Sequence, residues 1–286
     1  MDWILGTANF GAKYGISNGD LELNQAAVDE ILTTAAELGI KYLDTAPSYG
    51  KAEVMIGASE IANHSFSTMT KVKITSNQGD SLKSVLSSLE RLRSSQVHTI
   101  LIHNASELIN LDRSIVNEEL SEIEAYNPTI HIGASVYEEE EIEKIASNFP
   151  QIKAFQVPEN ILDQRLRTSN IVQSLADAGY LFYVRSIFLQ GLITTKSENL
   201  PNQHQSATRA ITQLEKMAKN QKTTVLSLAL GYLKLLPWSS GFLIGTTSVA
   251  QLRETMREEL LSSVPSEIPE PLPLDVVDPR RWANAG

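Results

Sequence analysis

Hydrophobic residues along the chain gather in short runs of three to five, and these alternate with longer stretches in which apolar positions recur every third or fourth residue. The first pattern marks strands buried on both faces and the second marks amphipathic helices, so their alternation predicts βαβ units and a parallel sheet. Strand-like runs lie at Trp3–Thr7, Lys41–Leu43, Thr68–Val72, Thr99–Ile102, Ile130–Ala134, Ala154–Val157, Leu181–Val184 and Phe242–Ile244. Eight such strands are the number that closes a single (β/α)8 TIM barrel. Asn24 is placed to cap a helix with apolar positions Ala27, Val28, Ile31, Ala35 and Leu38 and with Gly39 as its stop, and Asp80 stands in the same relation to Leu82, Val85, Leu86, Leu89 and Leu92. The stretch Thr224–Leu236 is apolar nearly all round and is expected between the sheet and another helix, with two helices preceding the last strand. The polar stretch Lys196–Thr208 reads as a loop over the barrel mouth. No linker divides the chain, so residues 1–286 are expected to form one barrel, with an extended C-terminal segment from about residue 265 that includes AspProArgArgTrp at 278–282.

Composition narrows the possible partners. The chain has 286 residues, 42% of them hydrophobic, which suits one barrel with a sizeable core. A formal net charge of -10 disfavours nucleic acid and anionic membranes, so any anionic ligand must be held locally. The absence of cysteine excludes disulfides and thiolate chemistry, no basic leader precedes an apolar stretch at the start, and Val225–Leu236 is too short to span a bilayer. A cytoplasmic protein acting on a small molecule is the expectation.

Candidate chemistry sits where runs end. Asp44, Tyr49, Lys71 and His103 stand at or just past the ends of three separate strands, and the C-terminal face of a parallel barrel is where such groups converge. Reduction of a carbonyl leaves negative charge on oxygen and calls for an acid and a stabilising donor. Tyr49 is the candidate acid. A phenol with an ordinary pKa of about 10 exchanges protons poorly near neutrality, and an adjacent ammonium such as Lys71 favours the phenolate. Asp44 would pair with Lys71, and His103 would orient the substrate oxygen. Taken singly, each has a plainer role: a turn residue, a packing ring, a solvated strand end, a histidine satisfied by backbone. No side chain supplies a hydride, so a carrier is required. IleGlyThrThrSer at 244–248 places Gly245, Thr246 and Thr247 where a strand enters a helix, which makes either an anion site or an ordinary N-cap. Asn9, Phe10 and Tyr14 lie on the first loop, able to contact substrate. A phosphate-loop match at Gly6–Lys13 fails because Ala12 separates the second glycine from the lysine. His64, His98, His131 and His204 lack metal-ligand spacing, and no metal is expected.

The strings LDTAPSYG, TKV and LIHN at 43–50, 70–72 and 101–104 resemble the signature of the aldo-keto reductases, in which an Asp, a Tyr, a Lys and a His occur in this order with similar gaps. The resemblance covers nearly the whole chain. It implies NAD(P)H-dependent reduction of an aldehyde or ketone, with Tyr49 as proton donor, Lys71 and Asp44 as its tuning pair and His103 aligning the carbonyl. It further implies that residues 244–254 hold the adenosine end of NADP, with Glu254 at the adenine, and that Ser135 and Gln156 hold the nicotinamide amide. Ser186, Leu189, Gln190 and Gly191 would flank the nicotinamide and pyrophosphate, with core packing an equal alternative for Phe188 and Leu189, in a stretch similar to that of a bacterial subgroup tied to polysaccharide or nucleotide-sugar pathways. Two departures stand out. Gly245 and Gln251 replace the Lys and Arg that NADP-selective members often carry, leaving Thr246, Thr247 or Arg253 for the phosphate and leaving NAD open. Val136 replaces an Asn that usually helps to hold the amide. A nucleotide-binding regulatory or sensing barrel is the alternative, and the intact quartet argues against it. A Schiff-base chemistry at Lys71 is opposed by Asp44, which would keep that amine protonated.

Overall fold

The computed structural model describes residues 1–11, 15–16 and 22–282. Eight parallel strands, β1 (Trp3–Gly6), β2 (Tyr42–Asp44), β3 (Ser67–Val72), β4 (Thr99–Ile102), β5 (His131–Ser135), β6 (Ile152–Pro158), β7 (Leu181–Arg185) and β8 (Gly241–Gly245), follow one another in a closed barrel. β8 pairs with β1 to complete it. Helices run between the strands and pack on the outside, giving the (β/α)8 TIM barrel that the periodicity implies. No helix among the described residues is long and apolar enough to cross a membrane.

Strand alternation sorts side chains into two cores. Ile4, Met69, Leu101, Ala154, Tyr183 and Leu243, with Tyr42 partly buried against them, fill the inside of the barrel. Their strand neighbours, such as Leu43, Ile100, Ile102, Phe155, Val157, Phe242 and Ile244, turn outward into the larger core beneath the helices. Residues two further along a strand share the inner face, and this sets the top layer of the barrel.

Local signals act largely as expected. Asn24 accepts a hydrogen bond from Ala27 N at 3.0 Å and caps the helix Gln25–Glu37, and Gly39 closes the turn after it with a φ of 81°. The helix Val225–Leu233 is buried throughout Ser227–Leu233, consistent with its all-round apolar sequence, and it follows the helix Thr208–Asn220. Asp80 is not a cap. It is the first residue of its helix, Gly79 takes the cap position with a φ of 79°, and the amides of Gly79 and Ser81 donate to the Glu119 carboxylate at 2.5 and 2.9 Å. Asp80 is drawn aside by Thr75 Oγ1 and Asn77 Nδ2, at 3.0 and 3.2 Å. The Lys196–Thr208 stretch is not an open loop over the mouth. It contains 3-10 turns at Ser197–Asn199 and Asn202–Ala207, and buried His204 packs edge-on against Trp282 at 4.4 Å between ring centroids. The stretch therefore serves as a seat for the C-terminal segment, and its own apolar positions Leu200 and Ala207 are buried in the process.

Candidate active site

One cavity of about 460 Å³ opens at the C-terminal ends of the strands. Its floor follows from the alternation described above. Adding two to Ile4, Tyr42, Met69, Leu101, Ala154, Tyr183 and Leu243 gives Gly6, Asp44, Lys71, His103, Gln156, Arg185 and Gly245, and all seven line the cavity. A single layer of inward positions thus delivers the ionisable groups. Tyr49 joins from the loop after β2, and Ser135 from the end of β5.

Lys71 is almost fully buried and donates to Asp44 Oδ1 and Oδ2 at 2.7 Å each and to Thr45 O at 3.1 Å. Gln156 Nε2 donates to the same Asp44 Oδ1 at 2.7 Å, so the carboxylate is braced from two strands. Burial works to lower the Lys71 pKa, but the charges of Asp44 and Tyr49 outweigh it and the pKa is raised, which keeps the ammonium charged. Its Nζ stands 4.9 Å from the centroid of the Tyr49 ring. The Tyr49 and His103 rings meet edge to face at 6.4 Å and 88°. Burial, followed by the nearby Lys71 charge, pushes the His103 pKa down to about 4, so the imidazole is neutral over the physiological range.

The loop that carries Tyr49 is fixed by close backbone approach. A Cβ on Gly11 would collide with the Tyr49 carbonyl oxygen and the Lys51 and Ala52 amide nitrogens, and a Cβ on Gly50, which has a φ of 59°, would collide with the Gly11 oxygen. Beyond β7 the backbone is strained: Ser186, Leu189 and Gln190 have φ of 61°, 48° and 55°. Non-glycine residues in this region cost free energy and concentrate where a ligand is gripped. Gln190 O also accepts from Ile16 N at 2.8 Å, tying this loop to the first one.

Of the residues singled out by sequence, the cavity wall includes Asn9, Asp44, Tyr49, Lys71, His103, Ser135, Gln156, Ser186, Gln190, Gly191, Gly245 and Gln251. Leu189 and Phe10 are buried in the hydrophobic core instead, where apolar contact holds them away from the cavity. Thr246, Thr247 and Glu254 do not line the cavity. Thr246 Oγ1 donates to Ser248 O at 2.9 Å, Thr247 N donates to Gln251 Oε1 at 2.9 Å, and Ser248 caps the helix Val249–Leu261. Arg253 is paired with Glu37 at 2.9 Å on the surface. Tyr14 lies outside the described residues.

Sequence reading passed over Tyr137, Arg185 and Arg280, which also line the cavity. Arg185 and Tyr137 carried a legible signal, since each continues an inward series, Tyr183–Arg185 and Ser135–Tyr137. Arg280 had none, because only the path of the C-terminal segment brings it there.

These features define a TIM-barrel protein with a buried ion pair, a phenol and a neutral imidazole gathered at the catalytic end of the barrel. The sequence matches the model of the aldo/keto reductase family over residues 3–267, and the chain belongs to that family. Its members are oxidoreductases acting on small carbonyl compounds with nicotinamide cofactors. The crystal structure of PA4992 from Pseudomonas aeruginosa, described as a candidate aldo-keto reductase, superposes with a TM-score of 0.65 at 17% identity, over 90% of this chain and 88% of that one. A second candidate aldo-keto reductase structure from the same organism gives a TM-score of 0.64 at 16% identity, over 91% and 89% of the two chains. At such identity the likeness speaks for the fold. No curated protein sequence matches the chain.

Proposed function

We propose that the protein is an NAD(P)H-dependent carbonyl reductase, NADPH being the preferred cofactor, in which Tyr49 protonates the nascent alkoxide. The observation that carries this reading is the buried Lys71–Asp44 pair, its ammonium 4.9 Å from the Tyr49 ring centroid and inside the same cavity as neutral His103. The cavity suits a nicotinamide dinucleotide. Gly6 and Gly245 face each other across β1 and β8 and leave the floor bare, and a Cβ on Gly245 would stand 3.5 Å from Asn9 Nδ2. Ser135 and Gln156, paired across β5 and β6, present polar groups beside it. Ser186, Gln190, Gly191 and the Gly245–Gln251 turn would hold the remainder of the nucleotide. When bound, the nicotinamide supplies the hydride that no side chain can.

The chain's own groups do the rest. His103, neutral and therefore a donor of a single ring N–H, holds the carbonyl oxygen and polarises it. The Tyr49 O–H gives its proton to that oxygen as the alkoxide forms, and the Lys71 ammonium stabilises the phenolate left behind. Asp44 and Gln156 keep the ammonium in place. A pKa of about 4 leaves no proton on a second His103 nitrogen to donate, so Tyr49 is the better acid of the two. The neutral hydroxyls of Thr246 and Thr247, with Arg253 engaged by Glu37, favour NADPH over NADH only modestly, because charge-assisted donors are the stronger phosphate partners.

Tyr49→Phe tests the assignment. It should bind NADPH in a fluorescence titration and melt near the parent temperature, while carbonyl reduction falls by at least about 10²-fold. Normal turnover in that variant would remove Tyr49 as the acid. Failure of the parent to bind NADPH or NADH at millimolar concentration would remove the reductase reading altogether.

A further inference from the structure

Tyr49 can act with Lys71 only while its ring stays beside the ammonium, yet the two come from different elements. Tyr49 sits on the loop after β2 and Lys71 near the end of β3. Backbone bonds tie that loop at both ends: Tyr49 N donates to Ala46 O at 3.0 Å, and the amide of Ala52, first residue of the helix Ala52–Ala58, donates to Tyr49 O at 3.1 Å. A shift of the helix would carry the phenol with it. The side chain that fastens the helix is Glu53, in its first turn and only 1% exposed.

Glu53 has two partners. Thr70 Oγ1 donates to its Oε1 at 2.6 Å, and Arg91 Nε donates to its Oε2 at 2.7 Å. Thr70 immediately precedes Lys71 on β3, and strand alternation turns the two side chains to opposite faces, Lys71 inward to Asp44 and Thr70 outward to the helix. The strand that presents the ammonium on its inner face thus grips, on its outer face, the helix that follows the phenol. Arg91 lies near the end of the helix Asp80–Leu92, and its Nη2 donates to the buried Ser88 Oγ at 3.1 Å, so the second anchor is itself held. Charge-assisted bonds of this kind are short and directional, and the help that an ammonium gives to a phenolate falls with their separation. Slack in the Glu53 link therefore weakens the acid.

We propose that Glu53 is a positioning residue for the reduction: by joining the first turn of the helix after Tyr49 to Thr70 on β3, it keeps the phenol beside the Lys71 ammonium. The inference rests on the carbonyl reductase reading above. The plainer role for such a group is stability alone, and Glu258 offers the comparison. On the helix Val249–Leu261 it accepts from Thr224 Oγ1 at 2.7 Å and Ser227 Oγ at 2.9 Å, joining two outer helices that carry none of Asp44, Tyr49, Lys71 and His103.

Four variants test this. Glu53→Ala removes both links, Thr70→Val removes only the one to β3 and serves alone should Glu53→Ala not fold, Glu53→Gln can still accept from Arg91 while donating to Thr70, and Glu258→Ala is the control. Each is assayed with NADPH and butanal or glyceraldehyde at a temperature where melts show it folded, and NADPH affinity is measured by fluorescence. Placement of the phenol is read separately by NMR from the His103 ring protons, which the Tyr49 ring shifts from 6.4 Å, with Tyr49→Ala marking the value without that ring. Glu53→Ala and Thr70→Val should lose about 10-fold or more in kcat, keep KM and NADPH affinity within about 3-fold of the parent, and move the His103 signals towards the Tyr49→Ala value. Glu53→Gln should recover most of both, and Glu258→Ala should lose melting temperature while keeping both. Parental kcat and His103 signals in Glu53→Ala and Thr70→Val, or an equal loss of kcat in Glu258→Ala, would reduce Glu53 to a stabilising role and overturn the proposal. A parent that reduces neither carbonyl counts against the reductase reading, and the His103 signals alone then decide whether Glu53 places the phenol.

Discussion

At the scale of single residues, the site depends on which groups carry charge. His103 is held neutral first by burial and second by the Lys71 ammonium, and the two causes can be separated. In the parent, NMR should find the His103 ring titrating near 4, well below the ordinary value of 6.5. Lys71→Met removes a cation that opposes protonation, so the midpoint should move up, yet stay below 6.5 because burial remains. A parent midpoint near 6.5, or no movement in the variant, would show that the imidazole does not sense the ion pair. The same variant should lose most of its carbonyl reduction while keeping its affinity for NADPH, since the ammonium faces Tyr49 and Asp44.

At the scale of elements, the short helix Ala8–Gly11 and the loop after β2 meet with no room for a side chain between them. Gly11→Ala would drive a methyl group into the Tyr49 carbonyl, so the loop must move and take the phenol with it. The expected result is a loss of stability of about 2 kcal/mol or more, together with a fall in turnover of at least about 10-fold, because small misplacements of a catalytic group are costly. Gly39→Ala is the contrast. A Cβ there meets nothing within 4 Å, and only the φ of 81° is unfavourable, so about 1 kcal/mol of stability and no turnover should be lost. Thermal melts and steady-state rates on the two variants separate steric positioning from backbone preference, and equal behaviour would refute the distinction.

At the scale of the whole molecule, stability should depend on pH through a group that sequence reading did not mark. Glu159 follows β6, is buried, accepts from Leu166 N at 2.9 Å and is hydrogen-bonded by the Tyr232 hydroxyl. Burial pushes its pKa up to about 8 from an ordinary 4.5, and the Tyr232 phenol is likewise raised, by burial and then by the Glu159 charge. The folded chain therefore holds this proton more tightly than the unfolded one. Its contribution to stability is fully present below about 4.5 and is lost as pH rises through about 8, an effect on the order of a few kcal/mol. Glu159→Gln should flatten that decline in denaturant melts taken between pH 5 and 8 (an interval set by the same shift). A decline of equal slope in the variant would place its origin elsewhere.

What the sequence determined by itself was whatever depends on local periodicity and chain order. Eight apolar runs set the barrel, because a strand buried on both faces has few alternatives, and strand alternation then fixes which side chains face inward. Asp44, Lys71 and His103 were legible for that reason, and Arg185 would have been had the same two-residue step been followed from Tyr183. Asn24 was legible as a cap because its partner, Ala27, is three residues away. Contacts between distant segments were decided only by the tertiary structure. Glu119 displaces Asp80 from its capping role across 38 residues or more, Gln156 reaches Asp44 across 112, and the C-terminal segment carries Arg280 onto Tyr137. Phe10 and Leu189 show the converse: loop positions that look available to a ligand were drawn into the core, because burying an aromatic or branched side chain outweighs leaving it at the mouth.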